Sequence, residues 1–484
     1  MGGKGRANYL RRMATSAPAP VISTAPAPTR SYAGPMALMT LLWLLFGAVT
    51  NFNDVLMPYL KDVCQLTDFE SSAVPFAFFM AYFLMSLPAG VVLRRLTYQR
   101  GLVLGLLVMA AGALLFVPAA NARSFPLFLA ALAVLGAGIT LLQVAANPYV
   151  SALGPARTAA ARVSTVGVAF GLGGSLSPLL GGLLLFGSAV VAGSAAAKRL
   201  AALPLAEQLT QKAALVKIPY LALAAVLLGL AGLFFVVRLP ALDALPADDA
   251  DDEADSAAGL TPRRSALDYR HLVLGIGAIF VYVGAEVGLG SFLIRYGESQ
   301  GIAHLSGFTQ SVIRGLNVAT NFAYYLFGAV PAPLDVSGGF TKAVGAVLVA
   351  SYWFGLMLGR IAGIGLLRRL PARALLVGVC GAALALVLAS VLSRGEAALW
   401  PVVLCGLCNS IMWPVIFPLA IKGLGPFTKQ GSSYLIMAIV GGALVPPLMG
   451  LLATHGGGLR AAFVLPMLCY AYLLYYALSG YRVR

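Results

Sequence analysis

The sequence predicts an all-α integral membrane protein with twelve transmembrane helices, arranged as two pseudo-symmetric six-helix bundles. Of its 484 residues, 60% are hydrophobic and only 10% are charged. Soluble domains carry about 25% charged residues, so a soluble chain of this composition could not cover its surface with polar groups. Twelve stretches also reach the length of about 20 apolar residues that crosses the hydrocarbon layer of a membrane. Short motifs that repeat between two blocks of six spans predict the two bundles.

The predicted spans follow one another along the chain, and their even number puts both termini on one side of the membrane. The spans cover residues 36–58, 71–93, 100–119, 124–150, 162–188, 215–238, 270–296, 341–366, 371–392, 398–421, 431–453 and 460–480. The loops on the side of the termini hold most of the 33 lysine and arginine residues. Because positively charged loops stay in the cytoplasm, we expect both termini there.

Changes in composition divide the chain into domains. We expect a disordered cytoplasmic tail at 1–35, an N-terminal six-helix bundle at 36–238, an acidic cytoplasmic linker at 239–269 and a C-terminal six-helix bundle at 270–484. An acidic run of this kind is typical of a solvated, disordered linker, although a regulatory or partner-binding loop stays open. An insertion at 297–340 contains its own apolar stretch. We expect an outer-side helix lying on the protein there, because a full extra span would invert everything after it.

Two short motifs recur at the same topological positions in the two blocks. Arg94–Leu96 follows span two and recurs as Arg368–Leu370 after span eight. Leu153–Pro155 follows span four and recurs as Leu424–Pro426 after span ten. The two pairs have similar offsets, so we interpret them as traces of a duplicated six-span unit.

Three ionisable residues fall inside predicted spans, where inserting a charge costs about 2.5–3.5 kcal/mol. Asp54 lies late in span one, and Glu286 lies at comparable depth in span seven, the counterpart of span one. A carboxyl group in such a place could take up a proton on one side and release it on the other when its hydration changes, so we predict proton coupling by Asp54 and Glu286. Two structural alternatives stay open: Asp54 at a wet outer helix end, and Glu286 as a partner of Arg360 in span eight.

Uncharged polar residues occur at matching places in spans four and ten. Gln143 and Asn147 are four residues apart and share a helix face, as do Asn409 and Trp413. Amides suit sugar hydroxyls, because each amide supplies a donor and an acceptor, and an indole offers an apolar plate for a sugar ring. The predicted substrate-binding residues are Asn53, Gln143, Asn147, Asn409 and Trp413. Hydrogen bonds between helices are the alternative role for these side chains.

A proline stands beside each of these polar pairs. Pro148 removes a backbone donor and frees a carbonyl one turn earlier, which a helix in lipid tolerates only where another group satisfies that carbonyl. The residues with predicted structural or gating roles are Arg94, Arg95, Arg360, Pro148 and Pro414.

Several function classes lack the residues that they require. Cys405 and Cys408 lie inside an apolar span without a second pair, and the other three cysteines are scattered, so neither a disulfide framework nor a metal site is expected. No phosphate-loop pattern supports ATP-driven pumping. The three histidines form no catalytic cluster, so we predict neither an enzyme nor a bound cofactor. The net charge of +16 reflects membrane orientation rather than nucleic-acid binding, because no basic stripe is interleaved with aromatic residues. The oligomeric state stays open.

Four segments carry a family resemblance: Asn53–Pro58, Gln143–Tyr149, Tyr282–Val287 and Ile421–Ser433. In these segments the chain resembles the fucose/glucose/galactose/N-acetylglucosamine branch of the major facilitator superfamily, the fucose–proton symporter family. The resemblance runs from span one to span twelve. It implies alternating access around a central sugar site, with proton coupling, and it implies that Asp54 is the coupling or sugar-binding acid.

The resemblance also narrows the expected function. Gln143 stands where fucose members of the family have Glu and where glucose-type and N-acetylglucosamine-type members have Gln, which disfavours fucose. We therefore expect a symporter that imports a hexose or an amino sugar across a bacterial inner membrane, with a proton preferred over Na⁺ as the coupling ion. In span five, Arg162 is followed by Val163–Gly171 without the amides that the family has there. Efflux or import of a less polar solute, and a membrane sensor with the same fold, are the alternatives.

Overall fold

Twelve helical segments account for almost all of the chain that the computed structural model describes, namely residues 32–66, 73–190, 203–237, 239–240, 265–315, 339–455 and 458–482. In chain order they are α1 (Ala33–Cys64), α2 (Ala73–Arg95), α3 (Tyr98–Ala122), α4 (Phe125–Ala152), α5 (Ala159–Val190), α6 (Lys217–Val236), α7 (Arg270–Ser299), α8 (Lys342–Arg369), α9 (Ala372–Leu392), α10 (Leu399–Ile421), α11 and α12. No strand occurs among these described residues.

The last two segments are each assembled from shorter pieces. In α11, Thr428–Met437 and Gly441–His455 are joined by a single 3₁₀ turn, Ala438–Val440. In α12, Val464–Tyr475 runs directly into a π-helical turn, Tyr476–Gly480, and is preceded by the one-turn helix Leu459–Ala462. Pro446 and Pro447 lie within α11, where they cannot donate backbone hydrogen bonds.

Eleven helical stretches of the described chain are long and apolar enough to cross a membrane. The twelfth predicted span corresponds to α5, a continuous helix of 32 residues. The surface of these helices exposes large apolar side chains, for example Leu221 and Val226 on α6 and Phe354 and Ile361 on α8. Such a surface is suited to lipid rather than to water. The all-helical, twelve-span fold class is confirmed.

The two halves of the chain, α1–α6 and α7–α12, pack their helices by the same scheme. In the first half α1 lies against α5 so closely that a Cβ atom on Gly173 would be 1.9 Å from the Leu44 carbonyl oxygen. In the second half α7 lies against α11, and a Cβ atom on Gly441 would be 2.0 Å from the Phe280 carbonyl oxygen. Backbones can approach to this distance only where glycine removes the side chain. Equivalent pairs of helices thus pack in the same way in the two halves, as expected of a duplicated unit.

The predicted domain boundaries fall partly outside the described residues. The tail up to residue 31 and most of the acidic linker, 241–264, lie there. The chain before the linker is held by Gln99, whose side-chain amide donates to the carbonyls of Phe234 and Val237, at 2.8 Å each. Residues 35–484 form one compact unit, so the division into two bundles at 239–269 stays a prediction.

The insertion between α7 and α8 begins with a helix over residues 307–315. Glu396, in the loop before α10, accepts hydrogen bonds from the backbone N–H of Ser306 at 2.7 Å and from its hydroxyl at 2.6 Å. Trp400 donates its indole N–H to the Thr309 hydroxyl at 2.9 Å. The described start of the insertion therefore lies on the protein. Its apolar stretch, 318–330, lies outside the described residues.

Candidate functional site

We call the end at which α2 and α8 finish in Arg94–Arg95 and Arg368–Arg369 the basic end, and the other end the far end. The sequence-predicted polar residues lie between these ends, within the helices of each half. They form two groups, one in each half, and a set of contacts that joins the halves.

The first group lies in the N-terminal half, where α2 meets α4. The side-chain amide of Gln143 donates to the hydroxyl of Tyr82 at 3.0 Å. Gln143 is half-buried whereas Tyr82 is almost fully buried, so the tyrosine fixes the amide nitrogen and leaves the amide oxygen as the acceptor. An aromatic cluster supports Tyr82, because Phe78 meets its ring edge-on at 5.6 Å between centroids. Gln143 is thus oriented by its neighbours before any solute binds.

Asn147 lies one turn further along α4 towards the basic end, and it is buried. Its side-chain N–H donates to the backbone oxygen of Gln143 at 2.9 Å. Its Oδ1 atom has no hydrogen-bond partner among the described residues. A buried amide oxygen without a donor costs free energy, so this atom is available to a hydroxyl group or a water molecule.

The second group is a chain of hydrogen bonds in the C-terminal half. The Tyr282 hydroxyl donates to Oε1 of Glu286 at 2.8 Å, and the Tyr352 hydroxyl donates to the backbone oxygen of Glu286 at 2.9 Å. Asn409 donates to the Tyr352 hydroxyl at 2.7 Å and accepts from the Tyr470 hydroxyl at 2.8 Å. The network thus joins α7, α8, α10 and α12 at Glu286, through its carboxylate on one side and its backbone oxygen on the other.

The two predicted substrate residues of α10 differ in what they can still contact. Asn409 is fully buried, and both ends of its amide are bonded to tyrosines. Contact with a solute would therefore require one of those bonds to open. Trp413 is half-buried, and its ring stacks with that of Phe417, 5.7 Å between centroids. The ring centroids of Tyr282 and Trp413 are 6.5 Å apart. Trp413 therefore lies beside the tyrosine that bonds the Glu286 carboxylate.

The halves meet near the basic end along a seam between α2 and α11 and between α5 and α8. From α11, Lys429 donates its ammonium group to the backbone oxygens of Leu93 at 2.8 Å and Leu96 at 3.1 Å, and it lies 4.8 Å from the centre of the Tyr98 ring. From α8, Arg360 donates Nη1 to the backbone oxygen of Gly167 at 2.8 Å. Side chains of one half thus bond main-chain oxygens of the other.

A third contact explains how α4 accommodates its proline. Pro148 cannot donate to the backbone oxygen of Val144, four residues earlier. The Ser432 hydroxyl, which belongs to α11, donates to this oxygen at 3.0 Å. The free carbonyl predicted from Pro148 is therefore satisfied by the other half of the molecule.

The remaining predicted residues lie as follows. Asp54 and Asn53 are in α1, and their side chains lie outside the described residues. Arg94 and Arg95 are exposed at the basic end of α2, and Pro414 lies inside α10, which continues through it. The roles assigned to these residues stay predictions.

Sequence reasoning missed several residues of the site. Tyr82, Tyr352 and Tyr470 are buried hydrogen-bonding residues, but a tyrosine in an apolar run has no distinctive spacing that would select it. Lys429 lies in the segment Ile421–Ser433 that carries the family resemblance, but nothing in the sequence selected it as a contact between the halves. Ser432 could have been found, because the oxygen freed by Pro148 requires a donor from a neighbouring helix.

Twelve helices of membrane-spanning character in two similar halves, with polar groups inside them, define a membrane carrier. The chain belongs to the Major Facilitator Superfamily, whose family model matches residues 38–434, and within it to the fucose–proton symporter family.

Similar proteins agree with this assignment. The chain is 38% identical to a glucose/galactose transporter of Brucella abortus over 97% of this chain and 99% of the relative. It is 30% identical to the L-fucose-proton symporter of Escherichia coli over 93% of each. A crystal structure of the transporter FucP in the outward conformation matches with a TM-score of 0.74 at 29% identity, over 93% of this chain and 99% of that one. A second structure of FucP, the fucose:proton symporter of Escherichia coli, also matches, with a TM-score of 0.73.

Proposed function

We propose that the protein imports a hexose or an amino sugar by proton symport, with alternating access of a central site to the two sides of the membrane. The observation that carries this proposal is the half-buried Glu286 carboxylate within the membrane-spanning helices, bonded to a tyrosine beside an aromatic plate. A carboxylate inside membrane-spanning helices marks a pathway for protons or solutes by default. The similarity to a glucose/galactose transporter supports a sugar as that solute.

The two groups of polar residues have separate roles in this proposal. Asp54 and Glu286 take up and release the coupling proton. Asn53, Gln143, Asn147 and Trp413 hold the solute, and Asn409 joins them when its bond to Tyr352 or Tyr470 opens. The seam at the basic end keeps that side closed while the site faces the far side. The similar structure of FucP is in an outward conformation, which is compatible with this arrangement.

The proposed location is a bacterial inner membrane, with both termini in the cytoplasm. The basic end then faces the cytoplasm, because exposed Arg94, Arg95, Arg368 and Arg369 all lie there. The partners are the sugar, the proton and the lipid bilayer. A membrane carrier with this set of residues has no need of a bound cofactor or of enzymatic chemistry.

One observation favours a second candidate, a carrier of a less polar solute. The α5 face that bears Ser164, Gly167 and Gly171 lies against α8, and it offers small residues instead of amides. A site with fewer amides binds hydroxyl-rich solutes less strongly, because fewer donors and acceptors replace water.

Uptake into proteoliposomes tests the proposal. Purified protein in vesicles that are alkaline inside should accumulate labelled D-glucose, D-galactose or N-acetylglucosamine, and an ionophore that dissipates the pH gradient should abolish the accumulation. Counterflow without accumulation under either a proton or a Na⁺ gradient would reject symport. If the vesicles show no uptake and no counterflow of these sugars, sugar transport is rejected and the second candidate is favoured.

A further inference from the structure

The chain of contacts around Arg360 connects the carboxylate of the C-terminal half to the backbone of the N-terminal half. We propose that Arg360 is a positioning residue that couples the charge of Glu286 to the seam between the two halves. The guanidinium exchanges its hydrogen bond to Gly167 for an ion pair with the Glu286 carboxylate when that group loses its proton. This inference rests on the proposed proton symport.

On the side of the seam, Arg360 is held by α5 through three contacts. Its Nη1 atom donates to the Gly167 oxygen, and its guanidinium carbon lies 5.7 Å from the centre of the Phe170 ring. The Ser164 hydroxyl donates to the backbone oxygen of Arg360 at 3.0 Å. Gly167 permits the approach, because a Cβ atom there would be 3.2 Å from the Arg360 Cδ. Both side-chain and backbone atoms of Arg360 therefore join the halves.

On the side of the carboxylate, Arg360 interacts with Tyr282 and Glu286. The Tyr282 hydroxyl donates to the Glu286 carboxylate and is also a hydrogen-bonding neighbour of the Arg360 guanidinium. The positive charge of Arg360 therefore lies within electrostatic range of the Glu286 carboxylate. Among the described residues, Arg360 and Glu286 do not form an ion pair within 4.0 Å. The observed arrangement is thus the one in which the seam, rather than the carboxylate, holds the guanidinium.

The guanidinium has capacity for the exchange. Arg360 is only 8% exposed, and its Nε atom is buried without a hydrogen-bond partner in the part of the chain that the structure describes. A buried arginine with an unused N–H is expensive, and a carboxylate accepts two parallel N–H bonds from a guanidinium. The guanidinium therefore binds an ionised Glu286 carboxylate more strongly than it binds the neutral Gly167 oxygen.

Other groups that face Glu286 do not replace Arg360 as its counter-charge. The titratable neighbours are Tyr282 on α7 itself, Tyr352 on α8 and Tyr470 on α12, and none of them carries a positive charge. Helix α10 contributes the neutral Asn409, and α11 packs against α7 through Val445 and other apolar residues. Arg360 is the one cation that acts on this carboxylate among the described residues.

The exchange has a direction that suits symport. While Glu286 carries its proton, Arg360 stays on Gly167 and stabilises the closed seam, so the protonated carrier changes sides only when bound sugar offsets the loss of this bond. When the proton leaves to water in the pathway, the ion pair forms and the seam loses a charge-assisted bond. The empty carrier is then free to change sides.

Four variants in proteoliposomes test the inference, with D-glucose and D-galactose as probes. R360M removes the charge at similar length, E286Q removes the carboxylate, and R360M/E286Q combines them. S164A is the matched control, because it deletes another seam bond of Arg360, the one from the Ser164 hydroxyl, without changing any charge. For each variant, accumulation driven by a pH gradient and counterflow at equal pH on both sides are measured from pH 5.5 to 8.5.

We expect sugar accumulation by R360M to fall about tenfold or more, while counterflow persists. A factor of about ten is the change in an equilibrium constant that the loss of one charge-assisted hydrogen bond produces. Counterflow by R360M should depend on pH differently from that of the unaltered protein, since Glu286 then has no guanidinium to draw away from the seam. S164A should alter rates while retaining the wild-type pH profile. R360M/E286Q should resemble E286Q, because residues in one pathway are not additive.

Three results would overturn the inference: a wild-type pH profile in R360M, the same profile change in S164A, or additive losses in the double variant. If R360M is not recovered in the membrane, R360K is used in its place to test the inference. Lysine keeps the charge but lacks the planar fork, so accumulation should fall with the pH profile retained, and unchanged accumulation contradicts the proposal. If the unaltered protein accumulates neither sugar, the proposed function fails and the inference fails with it; if it accumulates sugar and R360M does too, only the inference fails.

Discussion

Replacing Lys429 by methionine removes the contact by which α11 holds the end of α2. The ammonium group bonds the oxygens of Leu93 and Leu96, which lie at the C-terminal end of α2, where helix carbonyls have no partner within the helix and the dipole is negative. It also lies over the Tyr98 ring. Methionine keeps most of the length and the apolar stem of the side chain, so the change isolates the charge and its donors.

The size of the effect follows from these contacts. A hydrogen bond to a charged group contributes about 1.5–3 kcal/mol net, and a cation over an exposed aromatic ring contributes about 0.5–1 kcal/mol. Lys429 is half-buried near the water interface, so we take about 2 kcal/mol for the whole contact after solvent screening. At about 1.4 kcal/mol per tenfold change, the ratio of closed to open seam should fall roughly 30-fold.

Labelling of a cysteine at the seam measures this ratio. Ser433 is 1% exposed and faces Gly90 across the seam, so S433C is protected while the seam is closed. A membrane-impermeant maleimide is applied from the basic end, and mass spectrometry separates modification at position 433 from that of the five native cysteines. The rate should rise by about the same 30-fold factor in K429M, since labelling follows the open fraction. Lys422, exposed at the same end, gives the matched control K422M, and equal rates for K429M and K422M would refute the reasoning.

Three further predictions concern coupling and packing. D54N should abolish uphill accumulation of the transported sugar and spare counterflow in proteoliposomes; unchanged accumulation would exclude Asp54 as the coupling residue. G441A should lower the unfolding temperature in detergent by overpacking α7 against α11, at a cost of about 1–3 kcal/mol, whereas G229A, which meets nothing within 4 Å, should leave it unchanged. S432A should destabilise by about 1 kcal/mol, because the Val144 oxygen loses its donor, and P148A should lessen this loss by restoring a backbone N–H; equal losses in both backgrounds would contradict that assignment.

The fold was predictable because lipid limits the choices so strongly. A bilayer admits a helix of fixed length with its backbone bonds satisfied internally, so hydropathy alone located all twelve helices. For example, α9 covers Ala372–Leu392 where the sequence predicted 371–392. The repeat of Arg94–Leu96 and Arg368–Leu370 also identified helices that occupy equivalent places in the two halves. Local composition was sufficient at this level.

The site was less predictable because it depends on which helix faces which. The polarity of Asn409 predicted a buried polar role, but only the neighbouring helices decide that Tyr352 and Tyr470 take up both ends of its amide. The sequence likewise placed Arg360 near an acid without showing that its hydrogen bond crosses to Gly167. Such contacts join residues that are 57 to 196 positions apart, and no local pattern encodes them.

Among the described residues, the acceptors across the seam are main-chain oxygens: those of Leu93, Leu96, Val144, Gly167 and Arg360. Substitution on the accepting helix leaves such an oxygen in place, so random mutation can delete these contacts mainly by changing the donors. A neutral acceptor also attracts a cation far less than a buried carboxylate would. The hydrogen bond can therefore break without protonation of its acceptor. The contacts across the seam are therefore difficult to lose by mutation and yet weak enough to break.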